Sequence, residues 1–263
     1  MPEHTPEHLL ADAVKVTAPL ILAAKGRSRI GALTAYDYQI ARILDRAGTD
    51  IILIGDSLET VLRGAPTTLT ATMPQMLYHC SLVKPAVQRA LIAMDMPFGS
   101  FHLSESASVK NAIRAVRAGA EAVKIEGGGR SRHIKAIVES EIPVIAHIGL
   151  TPQSVHRMGG YKKQRARDML LADAEAVAAA GAFAVVLEVI EPSIAAEITS
   201  TIGIPTIGIG SGSDCDGQIL VINDLIGLLH KPSPSFAKQY AAVGETISQA
   251  ASRYISDVRS NTF

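Results

Sequence analysis

Three carboxylates close separate apolar runs in this chain: Asp56 ends IILIGD, Asp95 ends LIAMD and Glu126 ends AVKIE. A lone carboxylate beside a core loses hydration unless it is paired, so each is expected to be solvated or used. Three anionic oxygen donors on separate rigid strands suit a hard divalent cation such as Mg²⁺, which takes an oxygen shell and keeps positions open for water or substrate. The absence of a Cys/His cluster argues against structural zinc. The competing reading is structural: strand-end carboxylates also pair with Lys or Arg, or cap the next helix. Lys124 lies two residues before Glu126 and shares its strand face. A lysine pointing with Glu126 into a barrel needs an anion, either a carboxylate ligand or the substrate's own carboxylate.

Two more polar residues follow apolar strands, His147 in IPVIAHIG and Glu188 in AFAVVLE. Glu188, in apolar surroundings, is the candidate general base, with a salt bridge to Arg157 or Lys162 as its structural alternative. His147 either orients a ligand or is a hydrogen-bonded core histidine. Ser57, directly after Asp56, offers a hydroxyl and neighbouring N–H groups to a substrate carboxylate. Asp37 and Tyr36 sit at the first strand end, where Asp37 is suited to cap a helix beginning near Tyr38. GIGSGSDCDG, from Gly208, is read either as a phosphate cradle or as a tight turn, and it does not match GxGxxG. Together, a cation on carboxylates, a lysine and a glutamate are the parts needed to enolise a 2-oxo acid. The enolate can then attack a carbon electrophile.

Such residues need a scaffold that brings strand ends together. One phrase recurs: an alanine-rich helical stretch near a glycine, then a short β-branched run closing on a polar residue, as in VKNAIRAVRAG followed by AEAVKIEGG. Counting RIGALTAYD and QILVINDLIG gives about eight strands, apolar enough to be buried on both faces. Helix-strand alternation of this kind predicts a (β/α)8 TIM barrel, an α/β fold, because its C-terminal strand ends converge on one rim. An open doubly wound sheet is the alternative. The whole chain, residues 1–263, is expected to be a single barrel domain with an N-terminal helix around Thr17 to Ala24 plugging the barrel bottom. Thr151 to Gln164, TPQSVHRMGGYKKQ, reads as a rim insertion suited to cover the site. A Pro/Ser turn from Lys231 precedes a last amphipathic helix, Ala237 to Ile255.

Composition limits the partners. Lys plus Arg number 25 and Asp plus Glu 25, so no broad field gathers nucleic acid or anionic membrane. Aromatics are 4% and Trp is absent, which leaves no stacking surface for bases. Cys80 and Cys215 form no disulfide framework, and MPEHTPEHLLADAVK lacks the pattern of an export signal. A cytoplasmic protein without membrane or nucleic-acid partners is expected.

From about Thr17 to Gly227 the chain resembles the ketopantoate hydroxymethyltransferase family. The resemblance rests on TAYDYQIARILDRAG, IGDS, TTLTATMPQMLYH, DMPF, VKIEGG, HIGLTPQSV, GGYKKQ, LLADAEAVAAAGAFAVVLE and IPTIGIGSGSDCDGQILV, in that order. It implies transfer of a one-carbon unit from 5,10-methylenetetrahydrofolate to 3-methyl-2-oxobutanoate, giving 2-dehydropantoate in pantothenate synthesis. One Mg²⁺ per subunit is implied at Asp56, Asp95 and Glu126, the last acting through water. Substrate contacts fall on Asp56, Ser57, Asp95 and Lys124, the base on Glu188, and a histidine near the substrate on His147. Folate-contacting residues are not identified. A homo-oligomer is also implied, a large ring and often a decamer. Glu59 stands where the family usually has glycine, and FGSFHLSES and GGRSRHIKA are atypical, which bears on folate affinity or assembly. The second reading is a Mg²⁺-dependent 2-oxo acid lyase or mutase of the phosphoenolpyruvate mutase or isocitrate lyase type. Its reactive cysteine is missing from the TPQSVHRMGGYKKQ loop.

Overall fold

The computed structural model describes Leu10, residues 14–229 and residues 233–262. The start of the Pro/Ser turn at Lys231 and most of the N-terminal stretch read for an export signal lie outside the described residues. The chain forms two compact units, Met1–Ile219 and Leu220–Phe263.

In chain order the elements are α1 (Ala18–Ala23), β1 (Ile30–Thr34), α2 (Tyr38–Arg46), β2 (Ile51–Ile54), α3 (Leu58–Val61), α4 (Met73–Val83), β3 (Leu91–Asp95) and α5 (Glu105–Ala118). They continue with β4 (Ala122–Glu126), α6 (Ser131–Glu139), β5 (Val144–Gly149), α7 (Val155–Met158), α8 (Arg167–Ala179), β6 (Ala184–Glu188), α9 (Pro192–Thr201) and β7 (Thr206–Ile209). Last come β8 (Gly217–Leu220), α10 (Ile222–Ile226) and α11 (Val243–Ser260). The strands close a barrel in the order β1 to β8, as the recurring helix-strand phrase predicts, and the pairings from β1 through β8 are parallel. β2, β3 and β4 are buried at every residue, because helices cover one face and the barrel interior the other. Among the described residues no helix is long and apolar enough to cross a membrane.

The barrel interior is built from alternate residues. Ile30, Ala32, Ile51, Leu53, Leu91, Ala93, Ala122, Ala184 and Val186 belong to one buried cluster. Leu10, Val16, Ala18, Ile21 and Ala24 join it, so the N-terminal segment fills the lower mouth as expected. Pro19 lies in the first turn of α1, where a missing N–H costs nothing, and Thr17 caps it by accepting from Leu20 N.

β7 and β8 are joined without a helix, and Gly210 and Gly212 turn the chain at φ 65° and 88°. The tight turn read in GIGSGSDCDG is present here. Ser211 donates to Leu187 O at 2.7 Å and accepts from Ile190 N, while Asp216 binds Lys25 at 2.8 Å together with Gly26 N and Thr206 N. These bonds, Lys25 first, hold the Asp216 carboxyl below its ordinary value against burial. Its contribution to stability is therefore present above the unfolded-state value and is lost as pH falls through the folded one. Asp216→Asn is expected to cost about 3 kcal/mol, since it leaves Lys25 half-buried without its partner. Urea unfolding at pH 7 and at about pH 2 checks this, with the smaller difference expected at the acid end.

Candidate active site

The alternation that fills the barrel with Ala93, Ala122, Ile145 and Val186 continues two residues on, and there the side chains become polar. Asp95, Lys124, Glu126, His147 and Glu188 share the inward face, with Asp95 opposite Lys124 and Glu126 opposite His147 in register. Lys124 Nζ lies 2.9 Å from Asp95 Oδ1 and 3.5 Å from Glu126 Oε1. His147 bridges onward, with Nδ1 3.3 Å from Glu126 Oε1 and Nε2 3.2 Å from Glu188 Oε2. Asp56, in the turn after β2, is tied in through its backbone N, which donates to Asp95 Oδ2 at 3.0 Å.

Burial acts on Lys124, His147, Glu126, Asp56 and Asp95, and the neighbouring charges work with it or against it. It would discharge Lys124, but the Asp95 and Glu126 carboxylates outweigh it and hold the ammonium firmly charged. Burial and Lys124 oppose a charge on His147, yet Glu126 and Glu188 push it up to about 9. Glu126 goes the other way, held down at about 2 by Lys124 and His147 despite its burial. Burial pushes Asp56 well above the ordinary carboxylate range, and the charges on Asp95 and Glu126 add to it; Asp95 is raised by its own burial. Four carboxyl groups thus crowd around the Lys124 and His147 side chains.

No group of three His, Cys, Asp or Glu side chains among the described residues forms a ready metal cage. Around the three carboxyl groups, Lys124 stands between Asp95 and Glu126, and Gln153 is bonded to Asp56. The donors still fit a hard dication, because they are oxygens in negative excess. Asp95 Oδ1 and His147 Nε2 meet their charged neighbours without directed hydrogen bonds.

Ser57 takes the place foreseen beside Asp56, held by the Tyr36 hydroxyl at 2.8 Å rather than capping α3. Burial, with Asp95 and Asp56 adding to it, keeps the Tyr36 phenol protonated. A side chain at Gly55 would meet Ser57 Oγ at 2.6 Å, so glycine is what allows this close turn. Asp37 does cap α2, accepting from Ile40 N at 2.9 Å.

Glu188 departs from its expected apolar setting. Its side chain is 16% exposed and faces His147, not Arg157 or Lys162. Next to it, Val189 sits at φ 48°, a left-handed conformation that a β-branched residue rarely adopts. Val189 N donates to Ile209 O at 2.8 Å, Val189 O accepts from Gln164 N at 2.8 Å, and a side chain at Gly149 would strike Glu188 O at 2.5 Å. Such strain persists only where the surroundings over-determine it, and it stores about 1–3 kcal/mol. Val189→Gly is expected to raise the unfolding midpoint by about 2–4 °C, while kcat falls by about tenfold as Glu188 loosens. Thermal unfolding beside steady-state kinetics separates the two effects.

The rim insertion is not a plain loop. Residues 152–154 form a tight helical turn, α7 follows, and Gly159 and Gly160 turn it back at φ 66° and 110°. Its end, Gln164, bonds to Val189 and Glu191. Its beginning carries a site residue that the motifs do not single out: Gln153, buried and bonded to Asp56 and Glu126. The signal was its place in HIGLTPQSV just past a strand end, but a residue on a short turn belongs to no apolar period.

The atypical positions find structural roles. Glu59 is fully buried and accepts from Arg63, Thr70 and Gln75, binding α3 to the segment that enters α4. The two atypical stretches meet each other, with Arg130 over the Phe101 ring at 6.0 Å and Arg132 3.8 Å from Glu105.

The solved structures that this fold resembles include a phosphoenolpyruvate phosphomutase from Streptomyces platensis subsp. rosaceus. It has TM-score 0.61 and 18% identity, with 93% of this chain and 88% of that chain covered. A phosphonopyruvate hydrolase in complex with oxalate and Mg²⁺ has TM-score 0.62 and 13% identity, with 94% and 88% covered. At these identities the likeness is one of fold. Both cysteines, Cys80 and Cys215, are buried and lie outside the insertion where the lyase and mutase reading needs one. The 3-methyl-2-oxobutanoate hydroxymethyltransferase of Pelobacter propionicus is 50% identical over 255 residues, 95% of each chain. That of Trichlorobacter lovleyi is 51% identical over 255 residues, 95% of this chain and 96% of its own. The family model for ketopantoate hydroxymethyltransferase matches residues 15–263, and the chain belongs to that family.

Proposed function

We propose that this enzyme transfers the one-carbon unit of 5,10-methylenetetrahydrofolate, with water, to C3 of 3-methyl-2-oxobutanoate, releasing tetrahydrofolate and 2-dehydropantoate. The observation that carries this reading is the inward ring from Asp95 through Lys124, Glu126 and His147 to Glu188, each within ion-pair distance of the next. Asp56 and Asp95, with Glu126 through water, would hold Mg²⁺. When bound, that cation draws charge from the 2-oxo oxygen and so acidifies the neighbouring carbon.

The chain's own groups do the rest. Charged Lys124 and the Ser57 hydroxyl receive the substrate's carboxylate. Glu188 removes the C3 proton, and the His147 imidazolium fixes the carboxylate oxygen at its far side. The insertion, anchored at Gln153 and Gln164, limits the entry of water to the enolate. A homo-oligomer, in the family's decameric ring, and a cytoplasmic location go with this reading. No residue of α11 is buried, and Ile247, Tyr254, Ile255 and Val258 are exposed along it, an apolar face suited to a second copy.

Proton NMR of 3-methyl-2-oxobutanoate in D₂O with the purified protein tests the chemistry. Loss of the C3 proton signal with Mg²⁺ is expected, followed by hydroxymethyl product once methylenetetrahydrofolate is added. Neither change under any combination, with the protein folded, would refute the assignment.

A further inference from the structure

In the steps above Gln153 only anchors the insertion, yet three strand ends meet on it. Its Nε2 donates to Asp56 Oδ2 at 2.9 Å and to Met96 O at 3.0 Å, and its backbone N donates to Glu126 Oε2 at 3.0 Å. The residue is 5% exposed. The two acceptors facing Nε2 settle which way the carboxamide lies, because turning it over would set its oxygen against both of them.

Oε1 is then left buried and without a hydrogen-bond partner among the described residues. A buried acceptor without a donor is unfavourable, and an omission of this kind at a site points to a missing ligand atom. The neighbours cannot supply the donor. Lys124 is taken by Asp95, Glu126 and His147, and the carboxyl group that faces Gln153, Asp56, meets its Nε2 and not its Oε1.

We propose that Gln153 is a positioning residue of the cation site. Its two N–H groups set the Asp56 and Glu126 carboxylates, and its Oε1 receives an O–H group that arrives with the ligand. This rests on the Mg²⁺ reading above. The O–H group is either a water of the cation's shell or the hydroxyl of the hydroxymethylated product.

The test titrates wild type and Gln153→Met, a variant of similar length, with Mn²⁺ alone, following loss of the free-ion electron paramagnetic resonance signal. Removing a residue that orients metal ligands lowers affinity by roughly 10–100-fold, and that loss is expected with an unchanged unfolding midpoint. Calorimetry at saturating Mn²⁺ then separates the two donors. Equal weakening of 3-methyl-2-oxobutanoate and 2-dehydropantoate assigns the O–H to water, whereas weakening of the product alone assigns it to the product. Should the Met variant not fold, Gln153→Ala takes its place. Mn²⁺ affinity within twofold of wild type overturns the positioning role alone. A wild-type protein that takes up no Mn²⁺ and exchanges no C3 proton overturns the Mg²⁺ reading and this inference together.

Discussion

Glu188→Gln is expected to lower the rate of C3 proton exchange by about 10²–10⁴-fold while leaving the fold and Mg²⁺-dependent substrate binding intact. Glutamine has the same length and can still present an oxygen to His147 Nε2, which lies 3.2 Å from Glu188 Oε2. What it cannot do is take a proton. The register places Glu188 beside Gly149, away from the Asp56 and Asp95 end of the ring, so its change should not disturb the carboxylates proposed to hold the cation. Exchange in D₂O isolates this step from folate binding and product release. Retained wild-type exchange would remove Glu188 as the base and leave His147 as the group to examine.

Asp95→Ala should act on the other half of the chemistry. It deletes a carboxylate that accepts from Asp56 N at 3.0 Å and faces Lys124 at 2.9 Å, leaving Lys124 with Glu126 at 3.5 Å and Asp56 without its tether. Losing one partner of a buried pair costs about 3–5 kcal/mol of fold stability, and removing a proposed metal ligand is expected to weaken Mg²⁺-dependent binding by at least the roughly 10–100-fold that follows loss of a ligand-orienting group. Calorimetric binding of 3-methyl-2-oxobutanoate to the variant should therefore be weak and no longer respond to Mg²⁺. An affinity that matches wild type with and without the ion is the result that sinks the chelate mechanism.

The barrel was readable because its signal is periodic. Apolar runs such as IILI and LIAMD repeat along the chain, and the polar residues at or just past their ends, Asp56 and Asp95, fall where parallel strands end together. That Lys124 and Glu126 share one strand face followed from the two-residue alternation alone. Neighbour relations across the ring were harder. That Lys124 would stand between Asp95 and Glu126, and that His147 would span Glu126 and Glu188, depends on register between strands far apart in sequence. Gln153 and Val189 were illegible for a different reason. One lies on a short helical turn and the other in a strained bend, and neither conformation leaves a hydrophobic period to read. The structural role of Glu59 was not legible because its partners Thr70 and Gln75 come from a different segment.

The seam between β1 and β8 has a consequence for how the chain reaches this structure. Ile30 N donates to Asp216 O, Lys25 pairs with Asp216 across 191 positions of sequence, and Gly217 packs so tightly that a side chain there would meet Ile30 O at 2.4 Å. Bringing such distant ends together costs on the order of 5 kcal/mol of chain entropy, and no part of it is recovered until residues near 216 have been synthesised. On the ribosome, β1 and β7 would wait as open sheet edges, the condition under which strands of different chains pair. Closure of this seam is accordingly expected to slow refolding, and a shortened chain ending before Asp216 is expected to aggregate instead of closing the barrel.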